Sequence, residues 1–250
     1  TARPCEDDMT GLHKRPKDVA FIIDTSGSMG GRPLGGSCPS HMSGCSRIDM
    51  ARWALRRVIP AQLTKNQASE DPGRTSMTGF VGTGSASRVA RNLGEITFDD
   101  PTVTGYTPPE QEDVAENLED KLQDMCPSGI TPLGTHIQVV ADRIGSGTVD
   151  RPNKITILSD GVSNDGIDPV QAARDLIAKY PNLQVDIIDV EGTPSLRQVA
   201  EITGGKYFRS DNPDALLENL QSSIGLCEPP PPAAPAVDKP GCGSTGSWAN

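Results

Sequence analysis

The stretch DVAFIIDTSGSM, residues 18–29, decides the fold. Its apolar run from Val19 to Ile23 falls far short of the ~20 residues a bilayer demands, and it has the length of a strand buried on both faces. The run ends in Asp24, Thr25, Ser26, Gly27 and Ser28, where small polar side chains replace core formers. In an extended chain, side chains at i, i+2 and i+4 point to one side. Asp24, Ser26 and Ser28 therefore project together just past the carboxyl end of a first strand, the edge at which open parallel sheets bind ligands. Gly27 is expected to give the loop its tight curvature. One carboxylate beside two hydroxyls is a hard-oxygen set, suited to Mg2+, Mn2+ or Ca2+ and poor for zinc or copper.

Working outward, short apolar runs alternate with longer periodic ones. Residues 154–159 (KITILS) and 185–190 (VDIIDV) read as further buried strands, 206–208 as a last short one, and 77–81 and 87–98 as two strands near an edge. Helices are expected over 47–63, ended or kinked by Pro60, then over 110–125, 133–144, 169–180 with Asp168 as cap, 195–202 closed by Gly204 and Gly205, and 213–226. This order predicts an α/β fold with right-handed crossovers: a doubly wound, mostly parallel central sheet flanked by helices, with one antiparallel edge strand. The domain spans 18–227. Residues 1–17 form an N-terminal extension, 30–46 an insertion loop at the ligand face, and 228–250 a Pro/Gly-rich tail expected to be extended and then flexible. The start at Thr1, without Met or a signal-like apolar region, fits a processed or trimmed terminus.

A net charge of -10 argues against nonspecific binding to nucleic acid or anionic membrane, which both rely on clustered Lys and Arg. Cations or basic partners suit such a chain better. Six cysteines, Cys5, Cys38, Cys45, Cys126, Cys227 and Cys242, form an even set, most of them in Gly/Pro-rich loops or terminal segments. That pattern favours disulfides and an oxidising, extracellular or cell-surface setting. The competing reading is a zinc site of Cys38, His41 and Cys45 with Cys126 as a fourth ligand, disfavoured because no paired CxxC accompanies it.

One loop cannot complete a coordination sphere. Two further oxygen donors stand where other elements end or begin: Asp160 in ILSDG, just past the 154–159 strand, and Thr131 in SGITPLGTHI, at a helix entry. Two carboxylates about 5 Å apart at an effective dielectric near 20 repel by roughly 3 kcal/mol, which a bound cation resolves. DTSGS at 24–28, TPLG at 131–134 and LSDG at 158–161 together resemble the von Willebrand factor A family. Its metal-ion-dependent adhesion site (MIDAS) is built from a DxSxS loop, a Thr and an Asp. The stretch EITGGKYFRSDNPDALLENL, 201–220, is similar to the family's last strand and helix, and the resemblance covers residues 18–226.

The resemblance implies that Ser26, Ser28 and Thr131 are hydroxyl ligands of Mg2+ (or Mn2+ or Ca2+), with Asp24 and Asp160 acting largely through bound water. Thr135 is a decoy beside Thr131, and His136 stands where relatives usually carry a small residue. One coordination position is left for an Asp or Glu carboxylate of a protein or surface ligand. The implied role is a secreted or cell-surface adhesion or protein-binding domain without catalysis; the alternative is a structural or assembly module within a larger surface complex. Because the two ends of such domains lie close together, Cys5 is expected to pair with Cys227. A Cys38–Cys45 bridge would stiffen the insertion around His41. Cys126 and Cys242 stay open: they pair with each other, or Cys126 joins the Cys38/Cys45 loop, or Cys242 reaches another chain.

Rival readings fit less well. DTSG is near the DTG loop of aspartic proteases, but those enzymes are all-β and need a second such loop. Phosphotransferases of the haloacid dehalogenase kind need a second Asp where Ser26 stands. GTGSAS at 82–87 lacks the third glycine of a dinucleotide fingerprint, and SNDGID at 163–168 reads as a turn and helix cap before it reads as a calcium loop.

Overall fold

The computed structural model describes residues 16–32, 42, 46–81, 91–92, 95–127, 129–161 and 166–226. Among the described residues, seven strands form one sheet: β1 Val19–Asp24, β2 Thr75–Val81, β3 Arg91–Asn92, β4 Ile96–Asp99, β5 Lys154–Ser159, β6 Gln184–Asp189 and β7 Tyr207–Arg209. Their order is β3-β2-β1-β5-β6-β7, with β4 also on β2. All pairings among β2, β1, β5, β6 and β7 are parallel. The expected antiparallel edge strand is present as two pieces, β3 opposite Phe80 and Val81 and β4 opposite Thr75 to Met77, both along the same edge of β2. The helices are α1 Arg47–Gln67, α2 Gln111–Asp124, α3 Leu133–Ile144, α4 Pro169–Lys179, α5 Pro194–Thr203 and α6 Pro213–Ile224.

Why the sheet is double-sided is visible in β1. All six of its residues are buried, and they alternate between two cores. Val19, Phe21 and Ile23 pack with α1, α2 and α6 through residues such as Leu55, Leu118 and Leu220. Ala20 and Ile22 pack with α3, α4 and α5 through Ile137, Leu176 and Val199. A strand feeding two cores has no solvent face, so its polar residues can gather only at its end.

One sequence expectation needs adjusting. Pro60 does not end α1, which runs on to Gln67. Ile59 and Leu63 are buried on either side of it, and their packing outweighs the backbone bond that proline cannot donate. At the other end, a reciprocal Ser46–Asp49 capping box starts α1 at Arg47. Asp168 caps α4 as expected, its carboxylate accepting the Gln171 N–H at 2.9 Å. Among the described residues, no helix is long and apolar enough to cross a membrane.

A buried polar knot ties the last helix to the sheet. Lys154 Nζ donates to Asp186 Oδ2 at 2.9 Å and to the Ser223 carbonyl at 2.8 Å, and Ser223 Oγ donates to the same Asp186 oxygen at 2.8 Å. Asp186 is fully buried. Removing only the cation leaves an uncompensated interior charge, so Lys154→Met should destabilise the domain by about 3–5 kcal/mol in chemical denaturation, while the double change Lys154→Met with Asp186→Leu should recover most of the loss.

Candidate metal centre

The chain leaves β1 for β2 on one side, and β5 lies on the other, so the carboxyl ends of β1 and β5 bound the crevice of a topological switch point. Asp24 closes β1, and Asp160 immediately follows β5. Both are fully buried. Past Asp24, residues Gly27–Gly30 make one 3-10 turn that brings Ser28 back over the sheet edge. The Ser26 and Ser28 hydroxyls lie 3.0 Å apart, and Ser28 Oγ donates to Asp160 Oδ1 at 2.8 Å. The Gly27 N–H donates to the Gly129 carbonyl at 3.1 Å, two residues before the buried Thr131. Three distant segments thus meet, and each sequence-expected oxygen donor sits on one of them.

Gly27 has a different role from the one expected. A Cβ there would stand 3.6 Å from the Gly129 oxygen, an ordinary contact, and the backbone is not left-handed. The turn is closed by the Met29 N–H to Ser26 carbonyl and Gly31 N–H to Ser28 carbonyl bonds, and the Gly27 N–H ties it to the Thr131 segment. The glycine that the site does require is Gly134, because a Cβ there would come within 2.0 Å of the Ile167 carbonyl. The approach to α4 presses on the first turn of α3 and so fixes the helix that follows Thr131.

The electrostatics fit a cation. Burial pushes the Asp24 carboxyl up to about 6, although Ser159 Oγ (2.6 Å) and the Ser26 N–H (2.8 Å) both donate to it; the neighbouring Asp160 charge adds to the rise. An ionised carboxylate this deep asks for a positive charge nearby. The donors are all oxygen. Among the described residues, no group of three or more His, Cys, Asp or Glu could hold a metal, so an ion here depends on the serine and threonine hydroxyls. The residues present therefore fit a divalent cation held by Ser26, Ser28, Thr131, Asp24 and Asp160.

Three residues of the cluster were not foreseen. Arg47, first in α1, places Nη1 2.7 Å from Asp160 Oδ2, and its Nη2 donates to Glu191 Oε1 at 3.0 Å. Ser159, inside the LSDG motif but read only as strand, donates to Asp24. Serine in a motif is a legible signal; Arg47 and Glu191 carry none, because they are neighbours only through the fold. Cys38, His41, Cys45, Cys5, Cys227 and Cys242 lie outside the described residues, as do most of the insertion and the whole tail. Cys126 is disulfide-bonded, and its neighbour Pro127 stands where a Cβ on Gly30 would meet it at 3.4 Å, beside the turn that follows Ser28.

No family model matches the chain, and no curated protein does. Solved structures match its fold. The SpRpn10 VWA domain aligns with a TM-score of 0.54 at 13% identity, over 84% of this chain and 97% of that one. Proximal thread matrix protein 1 (PTMP1) from the mussel byssus, with a zinc-occupied MIDAS motif, aligns at 0.53 and 16% identity over 85% of this chain and 48% of that one. The pilus adhesin SpaC from Lactobacillus rhamnosus GG aligns at 0.53 and 12% identity, over 84% of this chain and 30% of that one. The chain thus spans about half the length of the mussel protein and less than a third of the adhesin. These likenesses show the von Willebrand A-type fold.

Two buried groups give the metal-free protein opposing pH dependences. His136, buried in α3, has its pKa pushed down to about 4 by desolvation. The unfolded chain takes that proton near 6.5, so stability from neutral His136 is whole above 6.5 and falls by about 3 kcal/mol as pH drops toward 4. Asp24 has the reverse sign: its folded pKa lies above the unfolded value of 3.8, so the favourable contribution is present below 3.8 and is lost as pH rises through about 6. Asp24→Asn keeps an acceptor for the Ser26 N–H and lets the Ser159 hydroxyl reverse. It should raise the metal-free stability at pH 7 by about 1–3 kcal/mol in thermal melts and remove the gain on acidification.

Proposed function

We propose that this von Willebrand A-type fold serves as a non-catalytic binding domain, engaging an acidic group of a protein or surface ligand through a divalent cation at the β1/β5 edge. The observation that carries the reading is the continuous Ser26–Ser28–Asp160 oxygen chain, with Asp24 buried beside it and raised in pKa. Ser26, Ser28 and Thr131 would supply hydroxyls, while Asp24 and Asp160 supply charge from behind. Bound there, the ion supplies a Lewis-acidic position that attracts a carboxylate. The chain needs such a device: at a net charge of -10 it repels acidic partners at long range, so attraction must be local.

The ion is Mg2+ or Mn2+ by the hardness of the donors, with Ca2+ as a further candidate. Zinc enters the comparison because the MIDAS motif of PTMP1 is described as occupied by zinc. An extracellular or cell-surface location is supported by the cysteine count and by likeness to a byssus protein and a pilus adhesin. PTMP1's place as a thread matrix protein also supports the second reading, an assembly module inside an extracellular structure.

Calorimetry on the oxidised protein should detect uptake of one divalent ion, weakened at least about tenfold by Thr131→Ala or Asp24→Ala, which each remove a donor. Affinity capture from extracellular material should retain a partner with Mg2+ or Mn2+ and lose it with EDTA. No uptake of any divalent ion would reject the reading, whereas uptake with capture indifferent to EDTA would favour the assembly role.

A further inference from the structure

The side chain at the start of α1 has more contacts than a helix cap explains. A cation at a helix N-terminus opposes the helix dipole, so other groups must hold Arg47 there. Its side chain is only 9% exposed. Nη1 donates to Asp160 Oδ2 at 2.7 Å and to the Ser28 carbonyl at 3.1 Å, and Nη2 donates to Glu191 Oε1 at 3.0 Å. Its Nε is buried without a hydrogen-bond partner among the described residues. Glu191 is itself set in place by Asp189 at the end of β6. Asp189 Oδ1 accepts the N–H groups of Glu191 (2.8 Å) and Gly192 (2.5 Å), and its Oδ2 accepts from Thr193 N–H and Tyr207 Oη.

We infer that Arg47 governs both the strength and the selectivity with which the Ser26–Ser28–Asp160 cluster takes a divalent cation. The inference rests on the metal reading given under the proposed function. First, the guanidinium occupies Asp160 Oδ2, so Asp160 turns only Oδ1 toward Ser28. Asp24 likewise has one oxygen engaged by Ser159 and the other by the Ser26 N–H. Neither carboxylate offers two free oxygens. Ca2+ draws on bidentate carboxylates and a large, flexible shell, whereas Mg2+ accepts single oxygens in a small octahedron, so this arrangement selects the smaller ion. Second, Arg47 brings a positive charge beside Asp160 and shares its other nitrogen with Glu191, so the filled site is more positive than it would be without the guanidinium. Metal is then held less tightly, and an anionic partner is drawn more strongly. Arg47 is a positioning residue: it acts on the ion through Asp160.

The test is calorimetric titration of MgCl2, MnCl2 and CaCl2 into oxidised, EDTA-stripped wild type, Arg47→Met and Glu191→Gln, each first checked for native near-UV dichroism. Arg47→Met retains the apolar stem and removes the charge. It should bind Mg2+ and Mn2+ at least about tenfold tighter and gain more for Ca2+, narrowing the Mg2+ preference. Glu191→Gln leaves the guanidinium to Asp160 alone and should weaken binding roughly 2–5-fold. An Arg47 with only a structural role would instead make Arg47→Met a weaker binder and leave Glu191→Gln, which keeps an oxygen acceptor for Nη2, unchanged. Wild-type uptake with Arg47→Met binding equally or more weakly overturns the inference and leaves the site reading intact; no uptake by wild type overturns both. Should Arg47→Met fail to fold, Glu191→Gln decides, and equal or tighter binding by it overturns the inference.

Discussion

Three aspartates stand at the carboxyl ends of adjacent parallel strands with no exposure to water, and the loops around them are arranged to answer those charges. Asp24 ends β1, Asp160 follows β5, and Asp189 ends β6. Each is answered differently. Asp189 accepts three backbone N–H groups and a tyrosine hydroxyl, a set of neutral donors that stabilises an anion on its own. Asp160 receives a guanidinium and a hydroxyl. Asp24 receives the Ser159 and Ser26 hydroxyls and the Ser26 N–H but, among the described residues, no cation, and burial still pushes its carboxyl up to about 6. The unmet electrostatic demand is therefore concentrated at the β1/β5 edge, beside the serines.

The opposite end of the sheet makes the contrast plain. There Asp18 is held by Arg74, whose Nε and Nη2 both reach its Oδ2 at 2.9 and 2.8 Å, and Lys154 closes on Asp186 and the end of α6. These charges are paired within the fold and leave nothing to offer a ligand. Buried pairs of that kind serve architecture, while the pair of Asp24 and Asp160 is left with charge that the fold answers only in part. The same physical liability, a carboxylate removed from water, is closed at one end of the molecule and kept open at the other.

The fold is shared with proteins of 12–16% identity, so the common sheet leaves the periphery of the site to vary. In this chain one peripheral contact to the site comes from the start of α1. The capping box of Ser46 and Asp49 fixes the first helical residue, and that residue carries the guanidinium reaching Asp160.

Much of this was written in local sequence. The alternation of short apolar runs with 3.6-periodic stretches is enough to place β1, β5 and β6 between helices, because a parallel strand buried on both faces and an amphipathic helix each leave a distinct period. The i, i+2, i+4 spacing of Asp24, Ser26 and Ser28 likewise marks an oxygen cluster by local geometry, while Thr131 and Asp160 join it through their places at other element ends and the resemblance of the three motifs to the von Willebrand factor A family. The continuation of α1 through Pro60 was not legible, since burial of Ile59 and Leu63 against other elements overrides the local breaker. Nor were Arg47 and Glu191. They are far apart in the chain and belong to no motif, and only the docking of α1 beside the β5 and β6 ends sets them 3.0 Å apart. Local periodicity thus determined which elements exist and that Asp24, Ser26 and Ser28 stand together at the end of β1. Tertiary packing alone decided which charges face those oxygens, because an ion pair between remote segments depends on where the folded backbone brings them.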